Sequence, residues 1–396
     1  MRRTTCILLI LLCSAPAFGL TGVNRWAVQL QRLDVSEVVA ADDFDLIVMD
    51  YSADGTDDGE WSPAQIDAIR DGGKTPVAYL SVGEAETYRW YWQSAWETQP
   101  PDWLGPVNPN WSDNFKVRFW DPEWQAIVFD YVDRILAQGF DGLYLDVIDA
   151  WYYWSDTVPE RSQAAADMAD FVIALRAHVT AAGRGDLLII PQNGETLVLE
   201  STVTGAKADQ YYGAIDAVGV ESLFHRGPQQ EDNPWQPDVY RLTHLYQYLM
   251  RDIAVLSIEY LTDDGARDYY YQYARQIGYI PYATRHGLDQ LSPQPAVGVD
   301  GGVLSWRCGP ARPNPASHMS FLPVATPAGG GPVVLELYDT RGRLLYSRRE
   351  DLSGTDAILS LPRPVAPGAD TAAGTYVYRL RHGGATVGSG KISFVR

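Results

Sequence analysis

The chain has 396 residues, enough for two domains or for one large domain with an appendage, and its 46% hydrophobic content is ordinary for a globular protein. A formal net charge of −19 at pH 7 disfavours nucleic acid and anionic membranes as partners and suits a cationic one, although a solvated acidic surface is the better explanation of the charge alone. The 13 Trp and 24 Tyr exceed what a core of this size needs.

Residues 1–19 read as a secretory signal peptide. Arg2 and Arg3 supply the positive start, "CILLILLC" the apolar stretch and "SAPAFG" the small-residue cleavage region. The stretch is too short to span a bilayer, and no later run is long and apolar enough to do so. Cleavage near Ala17 or Gly19 removes Cys6 and Cys13, so the mature chain keeps only Cys308 and has no internal disulfide. Its stability is then expected to come from a large core.

Eight short apolar runs follow, at 25–31, 44–52, 75–86, 140–149, 186–195, 216–224, 253–261 and 277–285. Each is rich in Val, Ile, Leu and Tyr and ends in polar residues, the pattern of parallel strands covered on both faces. Helix signals lie between them. In "WSPAQIDAIRDGGK" (61–74) Ser62 is a candidate N-cap, Pro63 takes the first helical position, and Gly72 and Gly73 end the helix. Asp121, Pro122 and Gly139 repeat the scheme over 120–139, and amphipathic helices are predicted within 159–183 and 262–278. The alternation predicts a (β/α)8 barrel over residues 20–288. A doubly wound open sheet is the rival, but the glycine-rich phosphate loop that usually follows its first strand is missing from "VQLQRLDV". The connection 87–116 is long and Trp-rich, as functional loops at a barrel mouth often are.

The pattern changes near residue 287. Residues 289–315 read as a Pro/Gly-rich linker. Residues 316–396 show short alternating segments separated by the turn signals "DTRGR" and "RHGGA", which predict a small all-β, Ig-like sandwich.

Alternation also locates the chemistry. In "LYLDVID" Tyr144, Asp146 and Ile148 share one face, and Leu143, Leu145 and Val147 share the other. The Leu/Val face suits packed helices, so Asp146 points into the barrel near its C-terminal end, where barrel active sites lie. A buried carboxylate is costly without a partner or a task. Asp141, at the strand's start, reads as a structural contact, and Asp149 opens the following loop, where it is available to a ligand. Other polar residues end other strands: Asp50 (followed by Tyr51), Glu84, Asn193 with Glu195, Glu221 and Glu259. Any one of them alone could cap a helix or pair with an arginine. Several carboxylates converging on one rim, with Trp90, Trp92, Trp96, Trp151, Tyr152, Tyr153 and Trp154 nearby, suit glycoside hydrolysis. That reaction needs two carboxylates flanking the scissile bond, about 5–5.5 Å apart when configuration is retained. The six His show no HExxH or paired spacing, and neither a GxSxG elbow nor a P-loop is present. No cofactor or metal is predicted; carboxylates holding Mg²⁺ or Ca²⁺ remain the alternative.

"DLIVMDYS", "AYLSVGEAETYRWYW", "FWDPEWQ", "GFDGLYLDVIDAW" and "IPQNGE" together resemble glycoside hydrolase family 114, the endo-α-1,4-polygalactosaminidase-like (β/α)8 barrels, over residues 24–285. The resemblance implies cleavage of α-1,4-linked galactosamine polymers with retention. It also implies a catalytic pair at Asp146 and Glu221, read as nucleophile and general acid/base. The strand-end and loop residues Asp50, Tyr51, Glu84, Asp149, Trp151, Asn193, Glu195 and Glu259 are then expected as substrate contacts. A free-amine polymer is cationic, which agrees with the acidic chain. Many family members carry Asp-Asn where this sequence reads Asp146-Val147. The tail, through "PNPAS", "LELYDTRGRLLYS" and "AAGTYVYRLRHGG", resembles small C-terminal domains that sort or attach exported bacterial proteins, which implies an export-machinery partner and a secreted or cell-surface protein. A glycan-binding protein without turnover and an α-glycosidase acting on a neutral polysaccharide are the competing readings.

Overall fold

The computed structural model describes residues 20, 22–249, 251–295, 307–308, 311, 314–316, 319–325, 331–352, 356–363 and 373–395. The predicted leader and much of the predicted linker lie outside the described residues.

The predicted barrel strands form as β1 (Trp26–Gln29), β2 (Leu46–Met49), β3 (Thr75–Ser81), β4 (Gly142–Asp146), β5 (Leu188–Pro191), β6 (Ala217–Glu221), β7 (Ala254–Tyr260) and β8 (Ile280–Thr284). The first five pair in parallel as one sheet and the last three as another. A parallel bridge between Gln192 and Gly219 joins β5 to β6. The circle closes where the Trp26 indole donates to the Ile280 carbonyl at 2.8 Å and the Leu30 amide to the Leu288 carbonyl at 2.9 Å.

Register carries one face around the barrel. Val48 pairs with Val77, Tyr79 with Tyr144, Gly219 with Leu256, and Ile258 with Tyr282. Side chains of paired residues share a face, so Trp26, Tyr144 and Tyr282 meet inside, with the Trp26 ring centroid 6.0 Å from Tyr144 and 6.1 Å from Tyr282. Gly219 makes room for this plug. A Cβ there would overlap the Tyr144 hydroxyl and lie 2.7 Å from its Cζ.

Helices cover the outer face: α1 (Val35–Ala40), α2 (Pro63–Asp71), α3 (Pro122–Gln138), α4 (Ala164–Ala181), α5 (Ala206–Ala214), α6 (Val239–Leu249) and α7 (Asp264–Gln276). Local chemistry sets their ends. The Asp121 carboxylate accepts the Glu123 amide at 2.9 Å, Pro122 follows, and Gly139 ends α3 at φ 91°. Arg176 on α4 donates to the Ala214 and Leu187 carbonyls and pairs with buried Asp216, tying the starts of β5 and β6 to the helical layer. Asp141 accepts Arg70 at 3.0 Å, a structural contact.

The 75–86 run does not continue as one strand. It leaves the barrel at Val82–Gly83, and 84–86 joins an antiparallel sheet with 104–108 and 111–117. Gly83 permits the exit, because a Cβ there would run into the Val147 carbonyl. The Trp-rich connection is therefore a built substructure. Trp92, Trp96, Trp103 and Trp124 form a chain of ring contacts that seats it on α3, with Trp103 and Trp124 centroids 5.0 Å apart.

A β domain follows the barrel. Strands 319–325, 356–362 and 307–308 make one antiparallel sheet; 344–352, 331–338, 374–382 and 385–394 make another. Leu322, Leu361, Leu335 and Leu380 are buried in their common core. In "DTRGR" the Asp339 carboxylate accepts the Arg341 and Arg343 amides, and in "RHGGA" Gly383 and Gly384 take positive φ.

Gly219→Ala is expected to destabilise the protein by about 1–3 kcal/mol through overpacking. Denaturant melts should show Tyr144→Phe in the same chain recovering part of that loss, because the hydroxyl is the first atom a methyl would strike.

Candidate active site

Asp146 ends β4 and pairs in register with Ser81, so it lies on the barrel's inner face at the C-terminal rim. Its Oδ2 accepts the Tyr79 hydroxyl at 2.6 Å and its Oδ1 accepts the Val147 amide at 2.8 Å. Burial pushes its carboxyl up to about 7, opposed by the Tyr79 hydrogen bond and reinforced by the charge of Glu221. Glu221 ends β6 and pairs with Ile258 on the same inner face. One strand separates β4 from β6, so their backbones stand about 10 Å apart across the wall. Both side chains point inward, and Tyr144 lies within the electrostatic reach of both.

Glu221 is held at both oxygens. Oε1 accepts the Asn193 amide nitrogen at 2.6 Å, and Oε2 accepts the Tyr260 hydroxyl at 2.6 Å. The Asn193 amide has only one workable orientation. Its Oδ1 receives the Glu221 backbone N–H at 3.2 Å and Arg241 Nη2 at 3.1 Å, so its Nδ2 must face the carboxylate. Arg241, on α6, also donates to the Glu221 carbonyl at 3.0 Å and pairs with buried Glu195. Asn193 and Glu195 therefore enter the site, the first as the orienting group for Glu221 and the second as the anchor for Arg241.

Asp149 stands exposed on the rim. Desolvation, followed by the charges of Glu221 and Glu195, pushes its carboxyl up to about 6. Asp50 lies on the inner face but is taken up by Arg89, 2.8 Å from its Oδ2; burial outweighs that cation and holds the carboxyl up at about 6. Arg89 also pairs with Glu86 at 2.6 Å, making a buried triad.

Four expected substrate contacts are placed differently. Tyr51 is fully buried, edge-on to Tyr131 at 4.9 Å, because alternation turns it outward from Asp50. Glu84 ends no barrel strand. It is buried in the inserted sheet and accepts Asn108, Asn114 and Lys116 at 2.8–3.3 Å. Glu259 is fully buried and accepts the Phe224 and His225 amides at 2.7 and 3.1 Å, pinning the loop after β6; burial drives its carboxyl up to about 8. The inner-face residue of "LSIEY" is Tyr260. Trp151 is 5% exposed and packs edge-on to Tyr152. Of the other rings, Trp154 is buried and donates to the Val117 carbonyl at 2.9 Å, whereas Tyr152 is exposed.

Tyr79, Tyr260 and Arg241 had no place in the sequence expectations. The first two were readable from the period-2 alternation that located Asp146. Arg241 contacts residues 20–48 positions away and leaves no local signal. An open cleft of ≈ 1210 Å³ adjoins Glu221. Glu221, Tyr260 and Arg241 line its floor side, the loop from His225 to Gln236 one wall, and Pro109–Trp111 with His286 another. Among the described residues no group of three or more His, Cys, Asp or Glu is placed to hold a metal ion.

The glycoside hydrolase domain of PelA from Pseudomonas aeruginosa shares this fold, with a TM-score of 0.51 and 21% identity over 69% of this chain and 99% of that one. An uncharacterized protein of Thermotoga maritima is 38% identical over 282 residues, covering 67% of this chain and 82% of the relative. One of Methanocaldococcus jannaschii is 35% identical over 277 residues, covering 67% and 78%. The model of glycoside-hydrolase family GH114 matches residues 13–299, a span that contains both inward carboxylates and all of their donors. With the barrel, the paired carboxylates and the family match in agreement, the chain belongs to glycoside-hydrolase family GH114 and is a glycoside hydrolase.

Proposed function

We propose that the enzyme cleaves an α-1,4-linked, galactosamine-type polysaccharide with retention of configuration, using Asp146 as nucleophile and Glu221 as general acid/base. The observation that carries the pairing is that two carboxylates at the ends of β4 and β6 share the inner face, each with its own donors: Tyr79 and the Val147 amide on one, Asn193 and Tyr260 on the other. The family supplies the substrate class. The net charge of −19 and the carboxylates around the mouth favour a polymer with free amines.

In the first step Asp146 attacks the anomeric carbon while protonated Glu221 gives its proton to the departing glycosidic oxygen. In the second, Glu221 takes a proton from water, and the water oxygen displaces Asp146. Asn193 and Tyr260 keep the Glu221 carboxyl aimed through both steps. Tyr79 and the Val147 amide favour the charged form of Asp146 against its burial, and an ammonium-bearing sugar beside it favours that form further. The height of the Asp146 pKa supports a second reading in which the two roles are exchanged. A 5-fluoroglycosyl fluoride of galactosamine separates them: the covalent adduct is expected on the peptide containing Asp146, and an adduct on Glu221 would reverse the assignment.

Asp146→Asn and Glu221→Gln should each lower reducing-end release from an α-1,4-galactosamine polymer by about 10³-fold or more while the thermal melt stays cooperative. Near-full activity in either variant would remove that residue from the chemistry. A nucleophile must be ionised, so kcat/KM should fall as pH drops through about 7, the value burial gives Asp146. Tyr79→Phe removes a donor to the charged form. The acid limb should then move up by about one pH unit relative to the parent on the same substrate, a difference in which the substrate's own titration cancels.

We also propose export on the leader of residues 1–19, with the C-terminal β domain serving sorting or attachment. N-terminal sequencing of protein collected outside the expressing cell should begin near residues 18–20; retention inside with Met1 intact would refute the leader.

A further inference from the structure

Trp111 stands out in the cleft. It begins the 111–117 strand of the inserted sheet, its side chain is the largest apolar one in the cleft wall, and it is 57% exposed. The other tryptophans of this insert are packed: Trp92, Trp96 and Trp103 against one another, Phe115 or Trp124, and Trp90 against Tyr91, Tyr131 and Arg134. Trp111 instead reaches across to the loop after β8, where its ring lies 11° from parallel with His286 at a centroid distance of 6.4 Å. His286 is fixed from behind: its amide donates to Glu231 at 3.1 Å, and its ring meets Tyr260 at 4.9 Å. Tyr260 in turn holds Glu221. A row of rings thus leads from the exposed Trp111 face to a proposed catalytic carboxylate.

The gap between Trp111 and His286 is too narrow for a ligand. A ring in contact with both would need planes about 7–8 Å apart. The open side of Trp111 is available instead. A flat apolar surface fixed at the edge of a polar cleft matches the C–H face of a pyranose ring, whose hydroxyls and amine remain free for the polar lining at Asn110, Gln229 and Gln230.

We propose that Trp111 is a sugar-binding platform, a subsite for a residue of the polysaccharide lying outside the pair that flanks the scissile bond. It rests on the glycosidase reading of the cleft and adds a binding role that neither Asp146 nor Glu221 supplies. The platform contributes affinity for long chains and takes no part in bond cleavage.

The experiment compares the full chain with Trp111→Ala and Trp111→Tyr on α-1,4-galactosamine oligomers of two lengths, and on neutral α-1,4-linked oligosaccharides in parallel. On the long substrate Trp111→Ala should raise KM about tenfold with kcat unchanged, Trp111→Tyr should recover most of the loss, and the shortest cleaved oligomer should show no change. Equal losses on short and long substrates, or a fall in kcat alone, would overturn the platform, as would an unchanged KM on the long one. If the parent enzyme cleaves the neutral series and not the galactosamine series, the proposed substrate fails, and the same comparison of lengths on the neutral series decides the platform. Absence of turnover and of measurable binding with both series would overturn both.

Discussion

The site depends on the junction at which Gln192 pairs with Gly219. Five parallel strands end at β5 and three begin at β6, and this bridge makes them one wall. Its register sets the inner face of β6, and with it the direction of Glu221. A slip of one residue would turn Glu221 toward the helices and bring Val220 inward. Gly219 serves this junction twice, since it pairs with Gln192 and also leaves the space that the Tyr144 hydroxyl occupies. The plug below the site and the carboxylates above it are set by the same backbone pairing.

Around that junction the chain gathers acidic groups, and burial raises the carboxyls of Asp50, Asp146 and Glu259. It treats them in different ways. Asp50 meets Arg89 in a buried triad, and Glu259 accepts amides of the loop that carries the cleft wall. In both, protein groups occupy the carboxylate oxygens. Asp146 and Glu221 also have donors, but those donors are hydroxyls and amides rather than cations. A neutral donor orients a carboxylate without pairing off its charge, which leaves it available to a proton or an anomeric carbon. Arg241, the nearest guanidinium in this network, spends its contacts on Glu195, the Asn193 oxygen and a backbone carbonyl, not on the Glu221 carboxylate.

The barrel was legible because buried parallel strands give continuous apolar runs and because helices α2 and α3 announce both of their ends. Asp146 was legible from alternation alone. Strand-end position without alternation does not locate a site residue. Glu259 lies one position from the inner face that Tyr260 occupies, and Tyr51 lies one position from Asp50. Glu84 was misplaced for another reason. The apolar run continues through Val82, and only the steric demand at Gly83, imposed by Val147 in the turn after β4, shows that the chain leaves the barrel there. Trp-rich composition pointed to the right loop but not to the right ring. Four tryptophans pack the insert onto α3, and the exposed one was distinguishable only once the antiparallel pairing put it at the cleft edge.

The backbone at the rim shows how strongly the surroundings fix this geometry. Val147, Asn193 and Ser222 all have positive φ, at 60°, 57° and 50°, and two of them directly follow the paired carboxylates. Asparagine tolerates this region, whereas a β-branched residue is strained there by about 1–2 kcal/mol. Val147 is nonetheless β-branched. Local preference does not hold it, so its contacts must. Its amide reaches Asp146 Oδ1 at 2.8 Å, its carbonyl accepts the Ala150 amide at 3.2 Å, and Gly83 leaves space against that carbonyl. The bond to Asp146 is charge-assisted once the carboxylate is ionised and is of the right size to offset the strain. The turn after β4 and the ionised state of Asp146 therefore support each other: the strained φ aims a donor at the carboxylate, and the carboxylate's charge holds the valine in a conformation its side chain disfavours.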